Sequence, residues 1–319
     1  MLFSHKAMHI PDGFLSVAVA VVGWILALAA IAVAIRITRK QLGERQIPMM
    51  GVLAAFIFAA QAINFPVAAG TSGHLLGGAL AAILLGPWAG LLVMTSVLAV
   101  QGLLFQDGGL LAMGWNIVNM GVFGVFVGYA VYALVRRLLG ESASSRLVGG
   151  FVGAWLSVVV ASIAASFELA ASGASPLGLA LPAMVGVHAL IGLGEAVITT
   201  AAIGLVQGVR PEVLAGGEHA PGRKGATLLV VGLLVALAFA LFSPLASPSP
   251  DGLEFVAEQQ GFLGRILSSP FEILPDYTVP FINQAALTTL AAVALGTLVV
   301  FGLGLLVGRL VGQPRRVGK

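Results

Sequence analysis

The sequence predicts an all-α, polytopic membrane protein with about nine transmembrane helices, and three observations carry that prediction. Of its 319 residues 59% are hydrophobic and only 9% charged, with a mean hydropathy of +1.03, which is far from the balance of a soluble domain. The apolar runs are long enough for helices, each needing about 20 residues to cross the hydrocarbon, and they lack the roughly ten-residue alternating segments of a β-barrel. Glycine is abundant, at 42 residues, as suits helices that approach one another closely in lipid. There is no cysteine, so disulfides, thiolate metal sites and cysteine nucleophiles are excluded together, and any metal chemistry must use nitrogen and oxygen ligands.

Taken in order, residues 1–7 (MLFSHKA) form a leader too short and too polar for a signal peptide. Pro11 cannot donate a backbone hydrogen bond and Asp12 is a good N-cap, so a helix is expected to begin near Gly13, leaving Met8-His9 as an extended finger ahead of it. The first span runs over about Phe14–Ile35 and is stopped by Arg36, Arg39, Lys40 and Arg45. Further spans are expected at about Met49–Phe65, Leu75–Leu85, Ala89–Phe105, Trp115–Val135, Val148–Phe167, Ala183–Val206, Thr227–Phe242 and Phe281–Val307, the third of them short. A polar, Gly/Pro-rich linker at 211–225 separates a unit over 8–210 from a two-helix unit over 226–319, and His219 in it reads as a solvated loop residue.

Parity tests the count. If the first span runs inward, 14 of the 16 Lys and Arg fall on the cytoplasmic side and only Lys6 and Arg265 fall opposite. The N-terminus and the loops at Gly70, Gln106 and Ser172 are then extracytoplasmic and the C-terminus cytoplasmic, as for a multi-pass protein of a prokaryotic cell membrane. The placement of these charges accounts for the net charge of +3 without a nucleic-acid partner; lipid is the surrounding phase.

The finger carries distinctive chemistry. If Met8 bore a free α-amine, that amine, the His9 amide nitrogen and the His9 imidazole would close fused five- and six-membered chelate rings on one cation. Three nitrogens in a plane suit Ni(II), Cu(II) or low-spin Co(II) better than tetrahedral zinc. A fourth nitrogen would complete a square, and His74 in Gly70-Thr71-Ser72-Gly73-His74 is the natural candidate. An accidental tail histidine and a structural loop histidine are the plain alternatives.

The stretches Met8–Ser16 (MHIPDGFLS), Gly70–Gly90 (GTSGHLLGGALAAILLGPWAG) and Gln106-Asp107-Gly108-Gly109 closely resemble the substrate-binding membrane subunit of nickel/cobalt energy-coupling factor transporters, the CbiM/NikM type, over residues 8–210. The resemblance implies an S-component bundle with an extra N-terminal helix. It implies Ni²⁺ or Co²⁺ as transported substrate, a separate EcfT-type coupling subunit and ABC-type ATPase subunits. It also implies metal ligation by Met8, His9 and His74. The C-terminal unit, with Pro250-Asp251-Gly252-Leu253-Glu254, resembles the PDGLE-type appendage, similar in layout to the two-helix CbiN companion subunit. One departure stands out, because seven residues precede the methionine that the family uses as its terminus. A start at Met8 or removal of the leader would restore the amine; His5 as a replacement ligand would forfeit the five-membered ring.

The remaining polar residues divide between packing and support of the metal site. Asn64, Thr71, Ser72 and Gln101 are candidates to support the ligands, Asn64 and Gln101 because they lie near the outer ends of their spans and the two hydroxyls because they can orient a neighbouring ring. Gln61, Asn116 and Asn119 read as interhelical contacts. Glu195, on one helix face with His188, is expected to pair within the bundle rather than touch the metal. Asp107 reads equally as an entrance anion or a turn residue. Ala30 and Ala34 offer a small-residue face for a partner or for ordinary helix packing. No HExxH, GxSxG or P-loop is present, so the sequence predicts no enzyme, and ATP hydrolysis would fall to other chains. A stand-alone secondary transporter or channel for a divalent transition metal is the alternative; few ionisable groups lie inside its spans to line such a path.

Overall fold

The computed structural model describes residues 8–43, 46–68, 70–209, 214 and 223–312. The leader with His5 and Lys6, together with Arg45, Arg210 and the linker positions 211–213 and 215–222 with His219, lie outside the described residues. Nine apolar helices follow the nine predicted spans: α1 (Val17–Gln41), α2 (Ile47–Gln61), α3 (Gly78–Leu85), α4 (Pro87–Phe105), α5 (Met113–Leu139), α6 (Ala143–Ala171), α7 (Leu177–Val209), α8 (Arg223–Ala240) and, after a short α9 (Gly252–Gln259), α10 (Ala285–Val311). Six of them, α1, α4, α5, α6, α7 and α10, are long and apolar enough to cross a membrane on their own.

Helix α3 is the exception, and the reason is instructive. At eight residues it is about 12 Å long, well short of a hydrocarbon core of about 30 Å. The rest of that passage is irregular chain folded back into the bundle as a two-residue antiparallel pair, β1 (Phe65–Pro66) with β2 (Ser72–Gly73). Irregular backbone at this depth persists only where protein satisfies its polar groups. Here the Glu195 carboxylate of α7 accepts from the Leu76 and Gly77 amides at 2.6 and 3.0 Å, and the Gln61 Nε2 of α2 donates to the Leu76 carbonyl at 2.7 Å.

The first helix starts later than its sequence suggests. Ser16 caps α1 by accepting from the Val19 amide, whereas Asp12 is taken by another element. Its carboxylate accepts from the Leu110, Leu111 and Ala112 amides at 2.9, 2.8 and 3.0 Å, capping the turn that leads into α5. Gly109 allows this approach, since a Cβ there would stand 2.1 Å from an Asp12 carboxylate oxygen. The Ala30–Ala34 face does not look outward as a free docking stripe, because Ala34 is fully buried; the exposed face of α1 carries Val21, Ile25, Leu28 and Val33. The two C-terminal helices α8 and α10 pack along α2, so the appended unit is built onto the bundle, with Gly304 against Ala54 and Gly51.

Candidate metal centre

The finger is locked down from both sides. Met8, His9 and Ile10 are all buried. Ile10 is held at its amide and its carbonyl by one side chain: it donates to Asn116 Oδ1 and accepts from Asn116 Nδ2, each at 3.0 Å, and its carbonyl also takes the Gly109 amide at 2.9 Å. Asn116, read from sequence as a packing residue, is therefore the side chain that fixes the finger. Asn64 and Gln101, expected to touch it, are not hydrogen-bonded to it; the main-chain carbonyl of Asn64 accepts from the Ser247 amide, and Gln101 acts at one remove.

The loop before α3 brings His74 beside the finger across 66 sequence positions. The two imidazole centroids lie 5.4 Å apart, and His74 Nε2 stands 3.1 Å from the Met8 carbonyl oxygen. The other ring nitrogen, Nδ1, faces the Leu75 carbonyl at 2.9 Å. A neutral imidazole has one N–H, so whichever carbonyl receives it, the other ring nitrogen presents a lone pair to an oxygen. With the proton on Nδ1, that lone pair is Nε2 facing the Met8 oxygen, an arrangement relieved by a cation at that point. The Thr71 and Ser72 hydroxyls play no part in orienting this ring, contrary to the sequence expectation; Thr71 donates to the Ala68 carbonyl and Ser72 to the Ser249 carbonyl, which ties the His74 loop to the C-terminal unit.

Asp107 is the anion of the site. It is buried, and its Oδ1 accepts from the Met8 amide at 3.0 Å and lies 2.9 Å from His9 Nδ1. Two of the nitrogens expected to chelate a cation thus converge on one carboxylate oxygen. Burial alone would lower the His9 imidazole, but the Asp107 charge and hydrogen bond outweigh it and hold the ring above its ordinary value. Burial would likewise raise Asp107, but His9, and after it the Tyr277 hydroxyl, keep it below the usual carboxylate range. His9 Nε2 is buried with no hydrogen-bond partner.

Behind Asp107 stands Tyr277, from the C-terminal unit. Its hydroxyl donates to Asp107 Oδ2 at 2.7 Å, and burial, then the Asp107 charge, push that hydroxyl well above its ordinary value, so it stays a donor. The ring stacks on Phe105 at 4.7 Å, and Asp276 and Tyr277 both occupy left-handed backbone, at φ of 49° and 57°, to deliver it. Gln101 closes the circuit: its Nε2 reaches both Gln61 Oε1 at 2.8 Å and the Tyr277 oxygen at 3.3 Å. A hydrogen-bonded chain thus runs from the His74 loop at Leu76, through Gln61, Gln101, Tyr277 and Asp107, to His9.

Asp107, Asn116 and Tyr277 are the residues that sequence reasoning left out of the site. A cavity of about 70 Å³ is lined by Met8, His9, His74, Asn116, His188 and Asp251 among others. Among the described residues no three His, Cys, Asp or Glu side chains stand together as a ready metal cluster.

Helices packed around a buried histidine pair, with an irregular loop on one side and an N-terminal finger on the other, define a multi-pass membrane protein with a small pocket beside that pair. The model of the CbiM family, cobalt uptake substrate-specific transmembrane region, matches residues 9–213, and the chain belongs to that family. The PDGLE domain matches residues 226–313. Relatives are named as transport proteins. The chain is 38% identical over 300 residues to the "Putative fused nickel transport protein NikMN" of Archaeoglobus fulgidus, covering 93% of this chain and 97% of that one. It is 30% identical over 351 residues to the fused nickel transport protein NikMN of Rhodobacter capsulatus, covering 98% and 100%. A crystal structure of a truncated transition metal transporter superposes with a TM-score of 0.55 at 33% identity, covering 66% of this chain and all of that one.

Proposed function

We propose that the protein captures Ni²⁺ or Co²⁺ as the substrate-binding subunit of an ATP-driven energy-coupling factor uptake transporter. The metal is held by the Met8 α-amine, the His9 amide and Nδ1 nitrogens, and His74. The observation that carries this reading is the convergence of Met8 N and His9 Nδ1 on one point, at 3.0 and 2.9 Å from a single Asp107 oxygen, with His74 Nε2 3.1 Å from the Met8 carbonyl oxygen. Asp107 occupies that point as a hydrogen-bond acceptor, and a divalent cation drawing on the same two nitrogens displaces it. The nickel named for two full-length relatives supports the substrate class.

In this reading the metal-competent chain begins at Met8, since the nitrogen of a residue preceded by a leader is a peptide amide without a basic lone pair. Residues 8–210 form the capture unit, and 226–319 form a companion unit whose external loop closes over it. The N-terminus lies outside the cell membrane and the C-terminus inside. An EcfT-type coupling subunit and ABC-type ATPases supply the power, because the sequence carries no P-loop.

Vesicle uptake tests it. Reconstituted with its coupling and ATPase subunits, the chain should accumulate ⁶³Ni²⁺ only with ATP, and an ATPase knockout should abolish uptake while leaving nickel bound one-to-one. Equal uptake by the chain alone would replace this reading with the stand-alone transporter.

A further inference from the structure

The stretch Pro250-Asp251-Gly252-Leu253-Glu254 has no role in the site built so far, yet the fold places it against His74. The Ser72 amide donates to the Pro250 carbonyl at 2.8 Å and the Ser72 hydroxyl to the Ser249 carbonyl at 2.8 Å, so the segment runs alongside the His74 loop in a fixed register. Asp251 N-caps α9, with its own amide donating to Glu254 Oε2 at 3.2 Å. Gly252 sits so close to α7 that a Cβ would fall 2.7 Å from Ile191 and 3.1 Å from His188. These contacts aim a buried carboxylate into the pocket: Asp251 Oδ2 lies 4.0 Å from His74 Nε2, in the cavity that His9 also lines with its unpartnered Nε2.

We propose that Asp251 and His74 form the capture station for the divalent cation, which they hold before it passes to the Met8–His9 nitrogens. The inference rests on the nickel or cobalt reading above. A 4.0 Å gap fits a cation with the two groups on nearly opposite sides of it, since metal–imidazole and metal–carboxylate bonds to a first-row ion run about 2.0–2.2 Å each. With the proton on Nδ1, the His74 lone pair faces the Met8 carbonyl oxygen at 3.1 Å, so three electron-rich atoms then border one small space. The deeper station requires movement, because Asp107 must yield its place to the metal. The order follows: an ion sheds water onto Asp251 and His74, which keep it beside the finger while Asp107 swings aside. Asp251 then lets go, as the nitrogen square closes around the ion with His74 retained.

Asn caps a helix as well as Asp does, so Asp251→Asn removes the charge and keeps the cap. In stopped-flow measurements with Ni²⁺ on the full chain beginning at Met8, Asp251→Asn should slow association at least tenfold and leave the absorption spectrum of the final complex unchanged. The slowing should persist in 0.5 M salt, where steering by a distant charge would be screened. A second variant isolates the station. With His9→Ala the finger loses its imidazole, and Co²⁺ should bind weakly with the absorption of a high-spin oxygen/nitrogen complex, a signal abolished by adding Asp251→Asn. Wild-type association kinetics in Asp251→Asn, or a slowing that disappears in salt, would overturn the capture station while leaving the nitrogen site standing. Failure of the wild-type chain itself to bind Ni²⁺ would instead remove the reading on which it rests.

Discussion

Glu195 lets the coupling between packing and metal capture be measured. Its carboxylate, fully buried, gives one oxygen each to the Leu76 and Gly77 amides, two and three positions after the proposed ligand His74 and just before α3. Glu195→Gln is nearly isosteric, but it offers one acceptor and one NH₂ where two acceptors are needed, so one of the two amides faces a donor. A buried amide left unpaired costs about 1–3 kcal/mol. If the loop relaxes in the free protein and must be pulled back to present His74, that cost appears in metal affinity as a loss of about 5- to 150-fold. Competition with a calibrated chelator would read the affinity, and thermal unfolding in detergent would read the fold. Glu195→Asp, which keeps two acceptors on a shorter arm, should lose less. Wild-type affinity and melting temperature in Glu195→Gln would refute the reasoning and reduce Glu195 to a spectator.

Other perturbations probe the finger and its supports. His74→Ala should abolish high-affinity nickel binding without unfolding the chain, as read by titration alongside circular dichroism; tight binding in a folded variant would remove His74 from the site. Asn116→Ala frees both the Ile10 amide and carbonyl and should weaken binding by about 1–3 kcal/mol, the cost of buried groups losing their partners, measured as the shift in chelator competition. Asp12→Ala strands three amides of the turn into α5 and should lower stability by about 2 kcal/mol, with Asp12→Asn recovering part of it in the melting temperature.

The sequence was most legible where its physics is local. Long apolar runs marked the helices, and α6 and α7 extend beyond their predicted limits by turns that also carry polar residues, Arg146 and Glu168 in α6 and Gln207 in α7. It misled where a residue serves a distant element. Asp12 has the ideal composition for capping its own helix, yet the helix uses Ser16 and the carboxylate crosses to residues 110–112. Leu75–Leu85 looked like a short span, whereas its first three residues, 75–77, are irregular chain made tolerable by Glu195, more than a hundred positions away. In the candidate site, Met8, His9 and His74 lie side by side, while the residues that hold the finger are spread over other elements. Tyr277 reaches Asp107 across 170 positions from a turn whose left-handed backbone nothing in its composition announces. Thr71 and Ser72, judged by proximity in sequence, turn their hydroxyls to carbonyls of the chain and not to the imidazole.

The central claim is that a free Met8 amine joins His9 and His74 around the cargo ion, and X-ray absorption on two preparations tests it most directly. One preparation would begin at Met8, verified by N-terminal sequencing, and the other would retain residues 1–7. The account predicts a four-coordinate, all-nitrogen, square-planar nickel in the first, and at least a hundredfold weaker binding without that signature in the second. The same square-planar spectrum and the same affinity in the chain that keeps its leader would contradict it.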